Sequence, residues 1–456
     1  MSSAGISFGG LASGLDTQAI ISALTALERR PISQLETKKT SLNKQKSLFG
    51  DLSSLLQELT KKAKALQTTT NFLEKKATSS DEDVLKVSAS TSAVAGTYEV
   101  TVNTLARSQL TLSAGQSSPT ATFGGPASLL IDVDGNTYPV AVTTPTLSSI
   151  AEAINAQDIG VNAEVVDTGN TANGGAQRYQ LALRATTPGT EGAFTVTYDD
   201  GDAAFQSFVS GLTTTAGTNA SVTIGGVTVQ RSTNTISDAI TGVTLDLLSV
   251  NAPGTVQVTV ATDAEEVSKK VQDFVDAYNK VVDFATAQNA LDAEGKASSP
   301  LFGDSLLRNV RSSLRTIAGG QVGTGNDAYQ MLSQVGIAAD TAGRLTFTST
   351  KFAEALAADE DAVAAIFTTD TTGLMNRFVD QLDVYTDSVD GLFKARNESF
   401  DRQVQDAQRR IDDAERRLEI YTEQLQKKYA NLESLLAQLQ GQGSSLSGLN
   451  NLSTRR

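Results

Sequence analysis

Residues 392–440 read LFKARNESFDRQVQDAQRRIDDAERRLEIYTEQLQKKYANLESLLAQLQ and contain neither glycine nor proline. Apolar side chains return at every seventh position, at Val404, Ile411, Leu418, Leu425, Leu432 and Leu439. A second series lies three positions further on, at Phe400, Ala407, Ala414, Tyr421 and Leu435. This heptad pattern predicts one long α-helix with an apolar stripe. At about 1.5 Å per residue the helix extends on the order of 70 Å, so it needs a partner along its length.

The N-terminal region carries a matching stripe. Apolar residues recur there at Leu35, Leu42, Phe49, Leu56 and Ala63, and again at Leu52, Leu59 and Leu66. We therefore predict that the two ends of the chain pair as helices. The pattern leaves open whether the stripes form a hairpin within one chain or a surface for subunit assembly. For assembly, the predicted interface residues are Leu35, Leu42, Phe49, Leu52, Leu56, Leu59, Val404, Ile411, Leu418, Tyr421, Leu425, Leu432, Leu435 and Leu439.

The composition excludes several kinds of chemistry. Cys, His and Trp are absent from the 456 residues, which removes thiol nucleophiles, Ser-His triads, disulfides and zinc sites of the Cys/His type. Asp132 and Asp134 could form a carboxylate pair, but they flank a predicted turn, where solvated carboxylates are usual. Residues 199–202 form an acidic loop without the spacing of an EF-hand. We expect no enzymatic activity, no cofactor and no bound metal.

Charge is unevenly distributed along the chain. The whole sequence has a formal charge of −14, whereas residues 28–76 carry a net charge of +6 and residues 77–393 a net charge of −21. A basic stem attached to an acidic body argues against a nucleic-acid partner. No run of 18 apolar residues occurs, so we predict no membrane span, and the N-terminal residues lack the pattern of a Sec signal peptide.

Changes in hydrophobic period predict an α+β multidomain protein with paired terminal helices. The predicted segments are 1–75, N-terminal leg helices; 76–125, the first half of a middle β-rich domain; 126–217, an outer inserted α+β domain; 218–262, the second half of the middle domain; 263–391, an inner, mainly helical domain; and 392–456, the C-terminal coiled-coil leg and tail. Two inserted β-rich domains would thus separate the two parts of the leg.

Local signals place the ends of the leg helices. Asp16 has the character of an N-cap residue, and Pro31 is expected to interrupt the first helical pattern. Glycines at 441 and 443 favour a loop-like tail over residues 441–456.

A short internal repeat is predicted in the strand-rich region. Its first copy is a hairpin around Asp134-Gly135, a helix capped by Thr146 and a strand from Val161. Its second copy contains a hairpin at residues 224–227 and a short helical stretch at Thr235–Ile240.

Several short motifs, taken in chain order, resemble the bacterial flagellar filament cap family, hook-associated protein 2. They are Gly9–Thr17 (GGLASGLDT), Pro31-Ile32, Gly96–Val102 (GTYEVTV) with Leu105-Ala106, Asn234–Leu245 (NTISDAITGVTL), and Leu332–Ile337 (LSQVGI) with Gly343–Leu345. The region around Ile154-Asn155 is similar to a small insertion module of flagellin-related proteins. The likeness covers nearly the whole chain.

The resemblance implies a structural role at the filament tip. It implies a homo-oligomeric ring of about five copies that guides exported flagellin into the growing filament. It also implies contacts with the hook–filament junction protein, an export chaperone before secretion, and export through the flagellar type III route to the extracellular tip. Adhesion to mucin or other surfaces is a secondary role of some similar proteins.

Three alternatives follow from the same residues. The chain could be flagellin, a hook–filament junction protein, or an adhesin-type binding module with an acidic outer domain. The run GLASGLD at residues 10–16 resembles the cap family more than the other two axial proteins.

Overall fold

The computed structural model describes residues 14–323 and 328–453. Its α-helices are α1 (Thr17–Glu28), α2 (Arg30–Lys64), α3 (Thr69–Phe72), α4 (Leu147–Asn155), α5 (Ala203–Ser210), α6 (Ala264–Gln288), α7 (Ser305–Ala318), α8 (Ser349–Ala358), α9 (Glu360–Thr368), α10 (Leu374–Thr386) and α11 (Leu392–Ser453). Its strands are β1 (Lys75–Ser79), β2 (Leu85–Ala89), β3 (Gly96–Thr104), β4 (Leu110–Leu112), β5 (Ala127–Val133), β6 (Asn136–Val142), β7 (Val161–Asp167), β8 (Tyr179–Ala185), β9 (Phe194–Asp200), β10 (Thr213–Thr215), β11 (Ala220–Ile224), β12 (Val227–Arg231), β13 (Thr235–Ile240), β14 (Val243–Leu247), β15 (Val256–Thr262), β16 (Ile337–Ala339) and β17 (Leu345–Phe347). The chain folds into two compact units, one built from residues up to Thr69 and from Ser268 onward, the other from Thr70–Val267.

The first unit is mainly helical and contains both ends of the chain. Side chains of α2 supply the centre of its core and are completely buried at Phe49, Leu52, Leu56 and Leu59. α10 packs against α2, and Phe378 of α10 meets Phe274 of α6 edge to face, with 5.2 Å between ring centroids. The predicted leg segment 1–75 and inner segment 263–391 therefore share one core.

The N-terminal helices begin and end as their sequence indicates. The Asp16 carboxylate accepts a hydrogen bond of 2.9 Å from the Ala19 backbone N–H, which caps α1. α1 ends at Glu28, and Pro31 lies in the first turn of α2, where its missing N–H costs no helical hydrogen bond. The predicted cap and the predicted interruption are both confirmed.

The second unit contains two cores, each enclosed by antiparallel strands. One core lies between a five-stranded sheet, in the order β1-β15-β3-β11-β12, and a three-stranded sheet, β13-β14-β2. Alternating valines fill it, with Val100 opposite Val256 and Val102 opposite Val222 in neighbouring strands. The period of two in these strands points every second side chain inward, as predicted.

The outer core is enclosed by two further sheets and two helices. The sheets have the orders β10-β4-β8-β7 and β6-β5-β9, and the helices are α4 and α5. The tight turn between β5 and β6 has positive φ at Asp134 and Gly135, and Thr146 caps α4, as predicted. β4 precedes residue 126 but pairs with β8, so the outer module includes residues before the predicted boundary.

The predicted helical stretch at Thr235–Ile240 is wrong, because these residues form strand β13. Ile236 and Ile240 are both buried, and their spacing of four suggested a helical face. Side chains two and four positions apart share one face of a strand, so a spacing of four places Ile236 and Ile240 on the same side of β13 just as it would on a helix. The internal repeat therefore does not extend to a second helix.

The predicted loop-like tail is also wrong over most of its length. α11 continues through Gly441 and Gly443 to Ser453. The hydroxyls of Ser444 and Ser445 each donate a 2.9 Å hydrogen bond to the Gly441 carbonyl within the helix. Glycine costs about 1 kcal/mol relative to alanine in a helix, which weakens the helix without ending it.

Within the described ranges, none of the helices combines the length and the apolar character that a membrane span requires. Of the motifs noted above, Gly9–Thr17 lies mostly outside the described residues.

Candidate assembly surface

The leg of the first unit is an antiparallel pair of α2 and α11. Lys46 forms an ion pair with Asp401, and Lys39 donates a hydrogen bond to Gln408. From position 39 to position 46 of α2, the partner on α11 moves back from position 408 to position 401. A step of seven residues in both helices is the register expected when two heptad stripes face each other. The predicted pairing of the two ends of the chain is present within a single molecule.

Phe49 is the centre of the helix pair. Its ring is completely buried and lies 5.8 Å from the ring of Phe393 and 5.7 Å from that of Phe400, both on α11. The Arg396 guanidinium carbon stands 5.6 Å from the Phe49 centroid and 5.1 Å from that of Phe400. An arginine above two aromatic faces adds cation–π attraction to the burial of the rings.

Polar contacts link the N-terminal end of α11 and the C-terminal end of α2 to neighbouring helices. Arg396 donates to Asp304, the N-cap residue of α7, over 2.9 Å. Lys62 of α2 donates to Asp273 of α6 over 2.8 Å, and this hydrogen bond raises the pKa of the Lys62 amine. Sequence analysis did not identify Arg396, because two of its partners, Asp304 and Phe49, come from segments distant in the sequence.

Towards the C-terminus of α11, helix α1 packs against the stretch around residues 415–426. Ile21 and Ile32 are buried, as are Ile411 and Leu425 on the facing stripe. The groove between the two helices is lined on the α1 side by residues 22–29 and on the α11 side by residues 415–426.

The predicted interface residues fall into three groups. Seven are buried inside the single chain, namely Leu42, Phe49, Leu52, Leu56, Leu59, Ile411 and Leu425. Four are half-buried, namely Leu35, Val404, Leu418 and Tyr421. Three remain exposed, namely Leu432 at 44%, Leu435 at 57% and Leu439 at 54%. We call Leu432, Leu435 and Leu439 the distal stripe. The buried group belongs to the core of the first unit, whereas the side chains of the distal stripe are exposed in the single chain.

The acidic residues considered for chemistry have local structural partners. The Asp132 carboxylate accepts from the Thr137 hydroxyl over 3.1 Å, and Asp134 lies in the β5–β6 turn. Asp202 caps α5, accepting from the backbone N–H groups of Phe205 at 3.0 Å and Gly125 at 3.1 Å. These hydrogen bonds lower the pKa of the Asp202 carboxyl. Within the described part of the chain, no group of three or more acidic side chains is arranged to hold a metal ion.

Calcium is therefore expected to leave thermal stability unchanged. In a thermal-shift experiment with about 10 mM Ca²⁺, the melting temperature should stay within about 1 °C of that in Mg²⁺ at equal ionic strength. A calcium site with a dissociation constant of about 1 mM would instead add about 1.4 kcal/mol to the free energy of unfolding and would raise the melting temperature measurably. A calcium-specific rise of several degrees that disappears in Asp202→Asn would contradict this interpretation.

Comparison with known proteins places the chain in a family. Two family models match, flagellar hook-associated protein 2 N-terminus over residues 13–109 and flagellar hook-associated protein 2 C-terminus over residues 217–441. The unmatched residues between them include most of the outer module.

Complete relatives agree with this match. Flagellar hook-associated protein 2 of Escherichia coli K12 is 27% identical over 97% of both chains. B-type flagellar hook-associated protein 2 of Pseudomonas aeruginosa is 30% identical over 84% of this chain and 85% of the relative.

A solved structure has the same architecture. The crystal structure of the flagellar cap protein FliD D1-D2-D3 domains from Escherichia coli superposes with a TM-score of 0.63 at 27% identity, covering 78% of this chain and 99% of that one. The family is not one of known enzymes, and it decides against flagellin and the junction protein as alternatives. With its paired terminal helices and inserted β-rich unit, the chain belongs to the flagellar hook-associated protein 2 family.

Proposed function

We propose that this protein is the structural cap at the distal end of the bacterial flagellar filament, where it forms a homo-oligomeric ring and guides exported flagellin into the lattice. The observation that supports this proposal most directly is the distal stripe, three leucines of one heptad register that stay exposed on a helix anchored by buried aromatic residues. Exposed apolar side chains in a regular row are typical of helices that pack against another subunit.

The mechanism that we propose is mechanical. The part of the leg around Phe49 is held by the contact between the Phe49 and Phe393 rings and by ion pairs such as Lys62–Asp273. We expect this firmly held part to transmit displacements along the leg. The part of α11 that carries the distal stripe leaves these leucines exposed in the single chain and would gain a partner for them on assembly. A helix with one exposed apolar face can exchange partners as subunits enter. Catalysis and a cofactor have no part in this mechanism.

The proposal extends to location and partners. The protein would leave the cell through the flagellar export route, accompanied by an export chaperone, and would meet flagellin and the junction protein at the filament end. A chain without disulfides suits passage in an unfolded state.

The direct test is deletion of the gene in the bacterium that encodes it. Cells without the protein are expected to lack full-length filaments and to release unassembled flagellin into the medium, and the full chain supplied from a plasmid should restore filaments. Electron microscopy and immunoblotting of the culture medium measure both outcomes. Filaments of normal length in the deletion strain would refute the cap role.

A further inference from the structure

A groove of about 590 Å³ lies in the second unit, beside the segments that connect its two cores. We call it the connector groove. Its lining includes the apolar side chains of Leu105, Leu110 and Val250 and two exposed arginines, Arg107 and Arg184. No carboxylate is among the described residues that line it.

The two arginines are unusual because cations are scarce in this unit. Residues 77–267 contain 19 Asp or Glu but only five Lys or Arg. Two of those five are paired internally, Arg178 with Asp167 at 2.7 Å and Arg231 with Asp238 at 2.8 Å. The side chains of Arg107 and Arg184 make no hydrogen bond or ion pair with the described residues, although carboxylates outnumber cations in residues 77–267. Guanidinium groups without a partner in the chain are suited to pairing with carboxylates.

The backbone beneath these arginines is fixed. The Arg107 N–H donates to the Thr218 carbonyl over 2.8 Å, and the Thr218 N–H donates back over 3.0 Å. Arg184 belongs to β8 and is paired in register with Leu110 of β4. A Cβ at Gly217 would lie 2.3 Å from the Gly189 carbonyl oxygen, which shows how closely the connecting segments approach. A rigid support reduces the entropy lost when a partner binds.

We propose that the connector groove binds a carboxylate-bearing surface of the acidic unit of a second copy of this chain. This inference rests on the proposed ring, in which each copy presents one surface to the copy before it and a different surface to the copy after it. With 19 acidic residues against five basic ones in residues 77–267, the surface of a neighbouring acidic unit is rich in carboxylates. The apolar lining can also contact the two methylene groups of a Glu side chain.

The test compares two double variants of the full-length chain by sedimentation velocity. Arg107→Gln with Arg184→Gln removes the cations of the groove, and Arg178→Gln with Arg231→Gln removes two cations of the same unit that have their own carboxylate partners. Self-association of the groove variant should be about fivefold to tenfold weaker than wild type, as expected for two exposed charge pairs, while the control stays within about twofold. Raising NaCl from about 0.05 to about 0.5 M should weaken wild type more than the groove variant.

The two variants distinguish a failure of this inference from a failure of the cap role. Equal association of the groove variant and wild type, or equal losses in both variants, would overturn the groove contact and leave the cap proposal standing. A wild-type chain that remains monomeric at all concentrations would overturn both. Circular dichroism and melting curves of both variants establish that a loss does not come from unfolding.

Discussion

Replacing Leu432, Leu435 and Leu439 together by glutamine is expected to abolish filament growth without unfolding the protein. The three side chains are about half exposed in the single chain, so glutamine, which also favours helices, should change the melting temperature by no more than about 1 °C. On assembly the same side chains would lose their remaining contact with water. At about 1 kcal/mol for each leucine, association should weaken on the order of a hundredfold.

Two measurements test this expectation. Sedimentation velocity gives the self-association of the purified variant, and filament length in the deletion strain gives its function. Ile420→Gln is the matched control, because Ile420 is 56% exposed on the same helix but lies outside the heptad series. The control should assemble and support filaments like wild type. An effect of similar size in the control, or normal assembly of the triple variant, would show that the distal stripe is not the contact surface.

The heptad pattern identified the residues of the leg but not which of them are covered. Every stripe residue carries the same apolar character, and burial depends on how far the partner helix extends. The pairs 39/408 and 46/401 set the register of α2 against α11, and the groove between α1 and α11 is lined on the α11 side by residues 415–426. Leu425 lies within this stretch and is buried, whereas Leu432 lies beyond it and is exposed. Seven of the predicted interface residues are thus interior, and three are exposed and are those that we propose for assembly.

Other differences arose from tertiary context overriding local preference. The spacing of Ile236 and Ile240 matched a helix, but residues four apart also share one face of a strand, and these residues pair with β14. Strand β4 was assigned to the middle domain by its position in the sequence, yet its hydrogen-bonding partners lie in the outer sheet. Long-range pairing of this kind leaves no local signal, and the same applies to Arg107 and Arg184.

Phe49→Ala is expected to cause the largest loss of stability among single substitutions in the leg. The ring is completely buried and contacts Phe393, Phe400 and Arg396, so its removal leaves a cavity and ends two aromatic contacts and a cation–π contact. Removal of a fully buried phenylalanine costs about 3–5 kcal/mol. The loss should concentrate in the first unit, because the second unit has its own cores.

Hydrogen exchange is the appropriate measurement, since a chain of two units does not follow a single two-state transition. Backbone amides of α2 and of residues 393–411 should exchange on the order of a hundredfold to a thousandfold faster in the variant, while the strands of the second unit keep their protection. Phe302→Ala makes the same chemical change at a side chain that is 45% exposed and should leave all rates near wild type. Unchanged protection of α2 in Phe49→Ala would mean that the leg does not depend on this cluster. The triple glutamine variant should keep that protection and lose only association, because anchoring and docking belong to different parts of α11.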